Sequence, residues 1–397
     1  MGTNLSFDRV AKVFAVFALA MAFSFGAARD ASSETKLPFP RPAAIEPNVN
    51  FWVDIFTKYS ENDFVVVDRD NISRIYHVFH LPGDGQPTRT DIDWANDYLK
   101  TKYSDILNRL ATRPPADDEE REIAAMFKGE PPSAYLAAAQ NLRVQEGLRE
   151  KFHEGLLRSK YYTPSMERIF RTAGLPPELV TLAHVESGFY GGSRSSAGAV
   201  GIWQFMPATG RQYMRITRYH DDRLNPDAET EAAAQLLRSN YDALGSWPLA
   251  ITAYNYGTGG TSAAASQFGG DYDRMVRSYN GPHFGFAARN YYAEFLAALQ
   301  IHEDEDKYFP DLKYAEVPEP PPVKTDFAPP PRHRSRHGSV THAVAHGNHH
   351  VAQHHGHSTN QASNATHAHV VRAAHHPHHA RHRKPIVAEE QVSELDS

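Results

Sequence analysis

The sequence predicts a predominantly α-helical domain from about Asn141 to Glu305, preceded by a small mixed region and followed by a disordered His/Pro-rich tail. Three observations carry this. Apolar residues recur at helical spacing through the middle of the chain, as at Leu148, Phe152 and Leu156. Helix-start signals are clear, with Pro177 in a first turn and Asn225 ahead of Pro226 as a cap. Beyond Val317 the apolar density collapses: Ala328 to Pro385 holds 16 of the 23 histidines, seven Arg or Lys and no acidic residue, which cannot build a core.

The N-terminus has the layout of a secretory signal over residues 1–28. Arg9 and Lys12 precede an apolar run from Val13 to Phe25, and small residues Gly26-Ala27-Ala28 follow. The run is short of the ~20 residues that span a bilayer. Export to the periplasm or cell envelope is expected, with an uncleaved anchor as the alternative and no transmembrane anchor after cleavage. There is no cysteine, which excludes disulfides, Cys-based metal sites and a thiol nucleophile.

Residues 29–50 read as a Pro-rich linker and 51–140 as a positioning region. In the latter, Phe64 to Val67 and Ile75 to Phe79 read as strands, and Trp52, Ile55, Phe56 and Tyr59 as one helix face. A further helix has Trp94, Tyr98, Tyr103 and Ile106 as packing residues. From Asn141 the reading is helical, with Leu142 placed on the same period as Leu148. "WPLAITAYNYG" and "ARNYYAEFLAALQIH" read as apolar helices, and the Gly-rich "GFYGGSRSSAGAVG" and "YNYGTGGTSAAASQFGG" as loops. Residues 306–331 read as a Pro-rich linker and 332–397 as the basic, His-rich tail.

Within "ELVTLAHVESGFY", a helix over Glu178 to Phe189 puts Leu179, Leu182 and Ala183 on one side, and Glu186 follows at i+7 in the same stripe. A carboxyl held among apolar side chains keeps its proton to higher pH, and a neutral carboxylic acid is the proton donor that glycosidic cleavage needs. Nearby, "AGAVG" lets backbone approach a ligand closely, and "IWQF" offers Trp203, as core or as platform, and Gln204, which can donate and accept. The acids Asp221, Asp222, Asp227, Glu229 and Glu231 cluster at a helix start, where capping explains them. No second catalytic carboxylate is evident beside Glu186.

These residues resemble the soluble lytic transglycosylase family, the goose-lysozyme-like branch of the lysozyme fold. Glu186-Ser187-Gly188-Phe189 is similar to its Glu-Ser-x-Phe motif, Gly201-Ile202-Trp203-Gln204 to its Gly-Leu-(Met/Trp)-Gln motif, and Ala253-Tyr254-Asn255 to its Ala-Tyr-Asn motif. "LPPELVTLAHVESGF" and "AVGIWQFMPATGRQY" look most like the membrane-bound transglycosylase D branch. The resemblance covers about Leu142 to His302. It implies a lysozyme-like catalytic domain acting on peptidoglycan glycan strands, at the β-1,4 bond from N-acetylmuramic acid to N-acetylglucosamine, with 1,6-anhydro ends as product and no cofactor or metal.

By the same resemblance Glu186 is the catalytic acid, and Ser187, Ser195, Gly201, Trp203, Gln204, Tyr254, Asn255 and Tyr291 are substrate-site residues. Packing for Tyr254 and a helix C-cap for Asn255 stand beside that reading. The chain departs from the family pattern at Ala287-Ala288, where Glu-Thr is usual, and in "AYNYGTGG". The branch usually carries sugar-binding LysM modules, and the His-rich tail stands in their place. Its histidines charge below roughly pH 6.5, which suits anionic envelope polymers, while neutral imidazoles suit Zn, Ni or Cu. A solvated tether is the plain alternative, and nucleic acid is not an expected partner. Rival functions are a muramidase hydrolysing the same bond and a non-enzymatic wall- or metal-binding protein.

Overall fold

Strand β1 (Asp63–Asp68) is the centre of an antiparallel sheet of order β2-β1-β3, in a computed structural model that describes residues 38–327 apart from 84, 318 and 321. From Arg41 onward the described residues fall into one unit. The signal-like segment 1–28, residues 29–37 and the tail from 328 lie outside the described residues.

Both strands expected in this region form. β2 (Ile75–His80) pairs with β1 in the register Phe64 to Phe79, with a bulge at Val66/Val67. β3 (Leu142–Glu146) pairs on the other side, Phe64 opposite Glu146. The helical reading from Leu142 is therefore corrected: the five residues before Gly147 are a strand, because pairing to β1 supplies backbone partners that a local helical pattern does not reveal. Gly147 makes the exit possible, since a Cβ there would lie 2.2 Å from the Ser60 carbonyl oxygen.

Helix α1 (Glu46–Thr57) begins inside the stretch read as linker and buries Trp52, Ile55 and Phe56, as its apolar face predicts, while Tyr59, placed on that face, is buried just past the helix end. Helix α2 (Arg89–Leu110) starts at a capping box, where Thr88 and Asp91 exchange side-chain and backbone hydrogen bonds. It covers one face of the sheet: Phe64, Val66, Leu99, Tyr103, Ile106 and Leu107 form one core with Phe127. Tyr103 and Ile106 pack as expected, but Trp94 and Tyr98 do not. They are 52% and 45% exposed, and their rings lie parallel with centroids 5.3 Å apart, beside Phe79 of β2 at 6.2 and 6.4 Å. Helices α3 (Asp118–Ala125) and α4 (Pro132–Gln140) complete this part.

The rest is mostly helical, as expected, with one correction: "YNYGTGGTSAAASQFGG", read as a loop, is helical over Thr258–Gln267, because its first glycines fall at the helix start and the Ala-rich stretch after them carries the helix. α5 (Arg149–Thr172) leads through a 3₁₀ turn, Pro177–Thr181, into α6 (Leu182–Ser187). A short α7 (Pro207–Gly210) precedes α8 (Pro226–Leu244), capped by Asn225 as predicted. α9 (Trp247–Tyr256), α10 (Thr258–Gln267) and α11 (Tyr272–Ser278) follow, and then α12 (Phe286–Glu303), which packs on α1, α6 and α9. α12 is buried on nearly all sides, which makes it the central helix. α1 packs on this body: Trp52 meets Phe286 with centroids 6.2 Å apart, Phe56 stacks on Phe152 at 4.7 Å, and Asn48 donates to Asn290 at 2.7 Å.

Beyond α12, α13 (Glu305–Tyr308) and a 3₁₀ turn at Pro310–Tyr314 bury Phe309 and Leu312. The chain then returns to residues 219–221. The Asp221 N–H donates to the Thr325 carbonyl at 2.9 Å and the Phe327 N–H to that of Tyr219 at 2.8 Å. The His220 ring sits between Asp222 and Asp326 at 2.5 and 2.6 Å. Among the described residues, no helix is long and apolar enough to cross a membrane.

Candidate active site

The stripe containing Glu186 is buried as the sequence predicts: Leu179, Leu182 and Ala183 are fully enclosed and Glu186 is 3% exposed. The expected single helix is instead the 3₁₀ turn followed by α6, which puts Glu186 in the last turn. Gly188 ends α6 in the left-handed region, with φ +56°.

One oxygen of the Glu186 carboxyl is held and the other is free. The Tyr291 hydroxyl, from α12, donates to Oε1. Oε2 is buried and has no hydrogen-bond partner among the described residues. Burial pushes the carboxyl up to about 8, against the opposing pull of the Tyr291 hydrogen bond. A neutral carboxylic acid with one unspent oxygen is a proton donor waiting for an acceptor.

Around it the 193–205 loop is braced from below. The Ser187 hydroxyl donates to the Ile202 carbonyl at 2.7 Å, so its donor serves the loop. Ser195 Oγ accepts from the Ala199 N–H at 2.9 Å and shapes the turn. Gly201 has φ +92°, and a Cβ would lie 2.1 Å from the Arg223 carbonyl oxygen; no other residue fits. Trp203 lies in the core, fully buried, with Nε1 donating to Thr230 Oγ1 at 3.0 Å and its ring 5.6 Å from that of Phe170. Gln204, at φ +49°, donates from Nε2 to the Gly201 carbonyl at 2.7 Å.

The Tyr254 hydroxyl, from α9, donates to the Trp203 carbonyl at 2.9 Å, and the charge of Glu186 bears on this phenol. Asn255, beside it, is 3% exposed and keeps Oδ1 without a partner among the described residues. The structure thus brings Glu186, Tyr291 and Tyr254 together. Ser195, Gly201, Trp203 and Gln204 belong to the braced loop beside them, which Ser187 holds from α6.

One residue of this brace departs from its reading in the sequence, and a second carries no reading there. Glu229, expected to cap α8, points inward: its oxygens accept the N–H groups of Ile202 at 3.1 Å and Trp203 at 2.9 Å. Burial raises its pKa, and those two N–H donors pull it back. Arg223 pairs with Asp221 through two bonds of 2.9 and 2.8 Å and donates to the carbonyls of Gly198 and Phe205. Nothing local in "DDRLNPD" separates such inward groups from capping ones. Glu294 was also missed. It is a partly buried carboxyl on α12, and the charge of Glu186 reaches it. Among the described residues, no group of three or more His, Asp or Glu could hold a metal ion.

Residues 167–281 match the transglycosylase SLT domain family. This segment contains Glu186, the braced loop, Tyr254 and Asn255, in agreement with the motif resemblance; Tyr291 lies just beyond it. The chain is also similar to two curated relatives, the membrane-bound lytic murein transglycosylases D of Escherichia coli K12 and of E. coli O6:H1 strain CFT073. Each is 40% identical over 132 residues, covering 31% of this chain and 29% of the relative. The chain thus matches less than a third of the length of these relatives. Among solved structures, the lytic transglycosylase Slt of Pseudomonas aeruginosa matches at 18% identity and TM-score 0.30, over 51% of this chain and 37% of that one. The 70 kDa soluble lytic transglycosylase of E. coli matches at 16% identity and TM-score 0.33, over 72% and 56%.

Proposed function

We propose that the chain is a peptidoglycan lytic transglycosylase that cleaves the β-1,4 bond between N-acetylmuramic acid and N-acetylglucosamine and leaves 1,6-anhydro-muramoyl ends, acting in the periplasm or cell envelope. The observation that carries this is the buried Glu186 carboxyl, pushed up to about 8 by burial, with Oε1 held by Tyr291 and Oε2 left without a hydrogen-bond partner among the described residues.

Glu186 gives its proton to the glycosidic oxygen as the bond to C1 breaks. The muramoyl acetamido oxygen assists at C1 from within the substrate, in the role a second carboxylate takes in other glycosidases. Glu186, now an anion steadied by the Tyr291 hydroxyl, takes the proton of the C6 hydroxyl. O6 then closes onto C1 and displaces the acetamido oxygen. The proton returns to Glu186 and no water is consumed, so the reaction is an intramolecular glycosyl transfer, a lyase rather than a hydrolase outcome.

The rival muramidase reading gains from Glu294, a second carboxyl near Glu186. A hydrolase on this site needs that carboxyl ionised, as nucleophile or as base for water. Burial holds Glu294 up at about 8, despite the opposing pull of Arg143, so at pH 7 it is mostly neutral. This favours the lyase.

Digesting purified sacculi with the full chain tests the proposal. Soluble muropeptides with anhydro ends are expected, absent with Glu186→Gln. A digest that releases nothing overturns the enzyme reading, and reducing ends turn it to the muramidase. The His-rich tail suits anionic envelope polymers or divalent transition metals by composition alone, which leaves its partner to direct binding measurements.

A further inference from the structure

Between Arg215 and Asp222 the chain turns back on itself. Ile216 lies opposite Asp221, the Thr217 N–H donates to the His220 carbonyl at 2.7 Å, and the Asp222 N–H donates to the Arg215 carbonyl at 3.1 Å. One edge of this small hairpin is taken by the far end of the described chain, residues 325–327. His220 and Asp326 form an antiparallel bridge, closed by the Asp221 N–H to the Thr325 carbonyl and the Phe327 N–H to the Tyr219 carbonyl. The His220 ring adds side-chain bonds, Nδ1 with Asp326 and Nε2 with Asp222.

This strap is not part of the core. Val323 and Phe327 are 53% and 37% exposed, and the residues between them are exposed or half-buried. A segment that buries so little apolar surface adds little to folding by the hydrophobic effect. Its bonds instead occupy the Asp221 N–H and the Tyr219 carbonyl, the groups of an open hairpin edge.

That edge leads to the candidate active site. Asp221 gives its N–H to the strap, and its carboxylate accepts two bonds from Arg223 at 2.9 and 2.8 Å; both residues are buried. A two-pronged pair of this kind fixes orientation as well as distance. Arg223 Nη1 donates to the Gly198 and Phe205 carbonyls at 3.1 and 2.9 Å. These two carbonyls flank the turn in which Val200 pairs with Phe205 and which holds Gly201 and Gln204. Strap, Asp221, Arg223 and the 198–205 turn are thus joined by consecutive hydrogen bonds. Glu186 stands outside this chain of contacts, held by Tyr291 of α12.

We propose that residues 325–327 are a positioning segment for the reaction: seated on the hairpin they hold Asp221, and through the Asp221–Arg223 pair they fix the 198–205 turn against the glycan. This inference rests on the proposed glycan cleavage, and it gives the end of the described chain a part in substrate binding.

The test uses the full chain with Asp326→Ala, which removes one side of the His220 contact, and with Phe327→Pro, which removes the N–H that bonds Tyr219. Limited proteolysis after residue 314 reports release of the strap. Amide hydrogen exchange reports on the Val200, Gly201 and Phe205 N–H groups, which bond to Phe205, Ser193 and Val200. KM and kcat are measured on soluble glycan strands. The expected result is faster cutting, loop exchange faster by about tenfold, KM raised about three- to tenfold and kcat within about twofold of the wild type, because the strap reaches the substrate wall and not Glu186. Loop exchange or a KM that stays at the wild-type value while the strap is cut faster overturns the proposal. So does a strap that stays protected in both variants, since these bonds then do not hold it. A loss of kcat and of melting temperature with KM in place marks a merely structural role and also overturns it. If the wild type cleaves no glycan, the proposed function fails, and hydrogen exchange alone decides whether the strap holds the loop.

Discussion

The Tyr291 hydroxyl donates to Oε1 of Glu186 and leaves Oε2 buried and unpartnered. This division of labour orients the carboxyl: the bonded oxygen is fixed, and the other is the one that can meet a glycosidic oxygen. Tyr291→Phe should therefore lower turnover by about 10- to 100-fold, the worth of one hydrogen bond to a charged group. It should also move the alkaline limb up, since the bond it removes lowers the Glu186 pKa. Steady-state rates across pH 6 to 9 check both.

Glu186 also lowers the stability of the fold. Its folded pKa of about 8 lies above the ordinary carboxyl value of 4.5. The folded state thus holds a proton that the unfolded state has released, so stability falls as pH rises between those values and levels off above about 8. Glu186→Gln should remove that decline and stabilise the protein by about 2–3 kcal/mol near pH 7. Urea denaturation of both proteins at pH 5 and pH 8 measures it. Equal slopes with pH would contradict the buried, neutral carboxyl.

The braced loop should fail as a unit. Glu229→Ala leaves the Ile202 and Trp203 N–H groups buried without an acceptor and should cost about 2–5 kcal/mol. Gly201→Ala strains the same turn, at φ +92° with the Arg223 carbonyl in the way. Thermal unfolding should show both, and an activity loss without a drop in melting temperature would contradict the bracing role.

The return of the chain at Asp326 should depend on pH. Asp326, and then Asp222, raise the His220 pKa by hydrogen bonding to its ring. The protonated His220 bridges two carboxylates, so the contact is complete below the ordinary histidine value and weakens as pH rises through the raised one. Asp326→Asn should lower the His220 pKa, read by proton NMR. Limited proteolysis should cut the segment after residue 314 faster at pH 9 than at pH 6.

Local pattern made much of the site legible, and tertiary position hid the rest. Leu179, Leu182, Ala183 and Glu186 share a helical period, so one carboxyl in an apolar stripe could be seen without the fold. Tyr291 was found by motif. Glu229 and Glu294 are not visible in the sequence: each is a glutamate on an ordinary helix until the fold brings the Ile202 N–H to one and the charge of Glu186 within reach of the other. Leu142 was misread because its spacing to Leu148 mimics a helix, while its strand partner, Asp68, lies far back in the chain. Trp94 and Tyr98 look like core residues by type, and only the position of α2 against the sheet leaves them in solvent. Trp203 carried two readings, and its hydrogen bond to Thr230 in the core favours packing.

The central claim is that Glu186 serves as acid and then as base without a water molecule. Digesting sacculi in water enriched in oxygen-18, with mass spectrometry of the muropeptides, tests it most directly. The expected result is anhydro-muropeptides with no heavy oxygen at C1. Reducing-end products carrying one heavy oxygen each would contradict it.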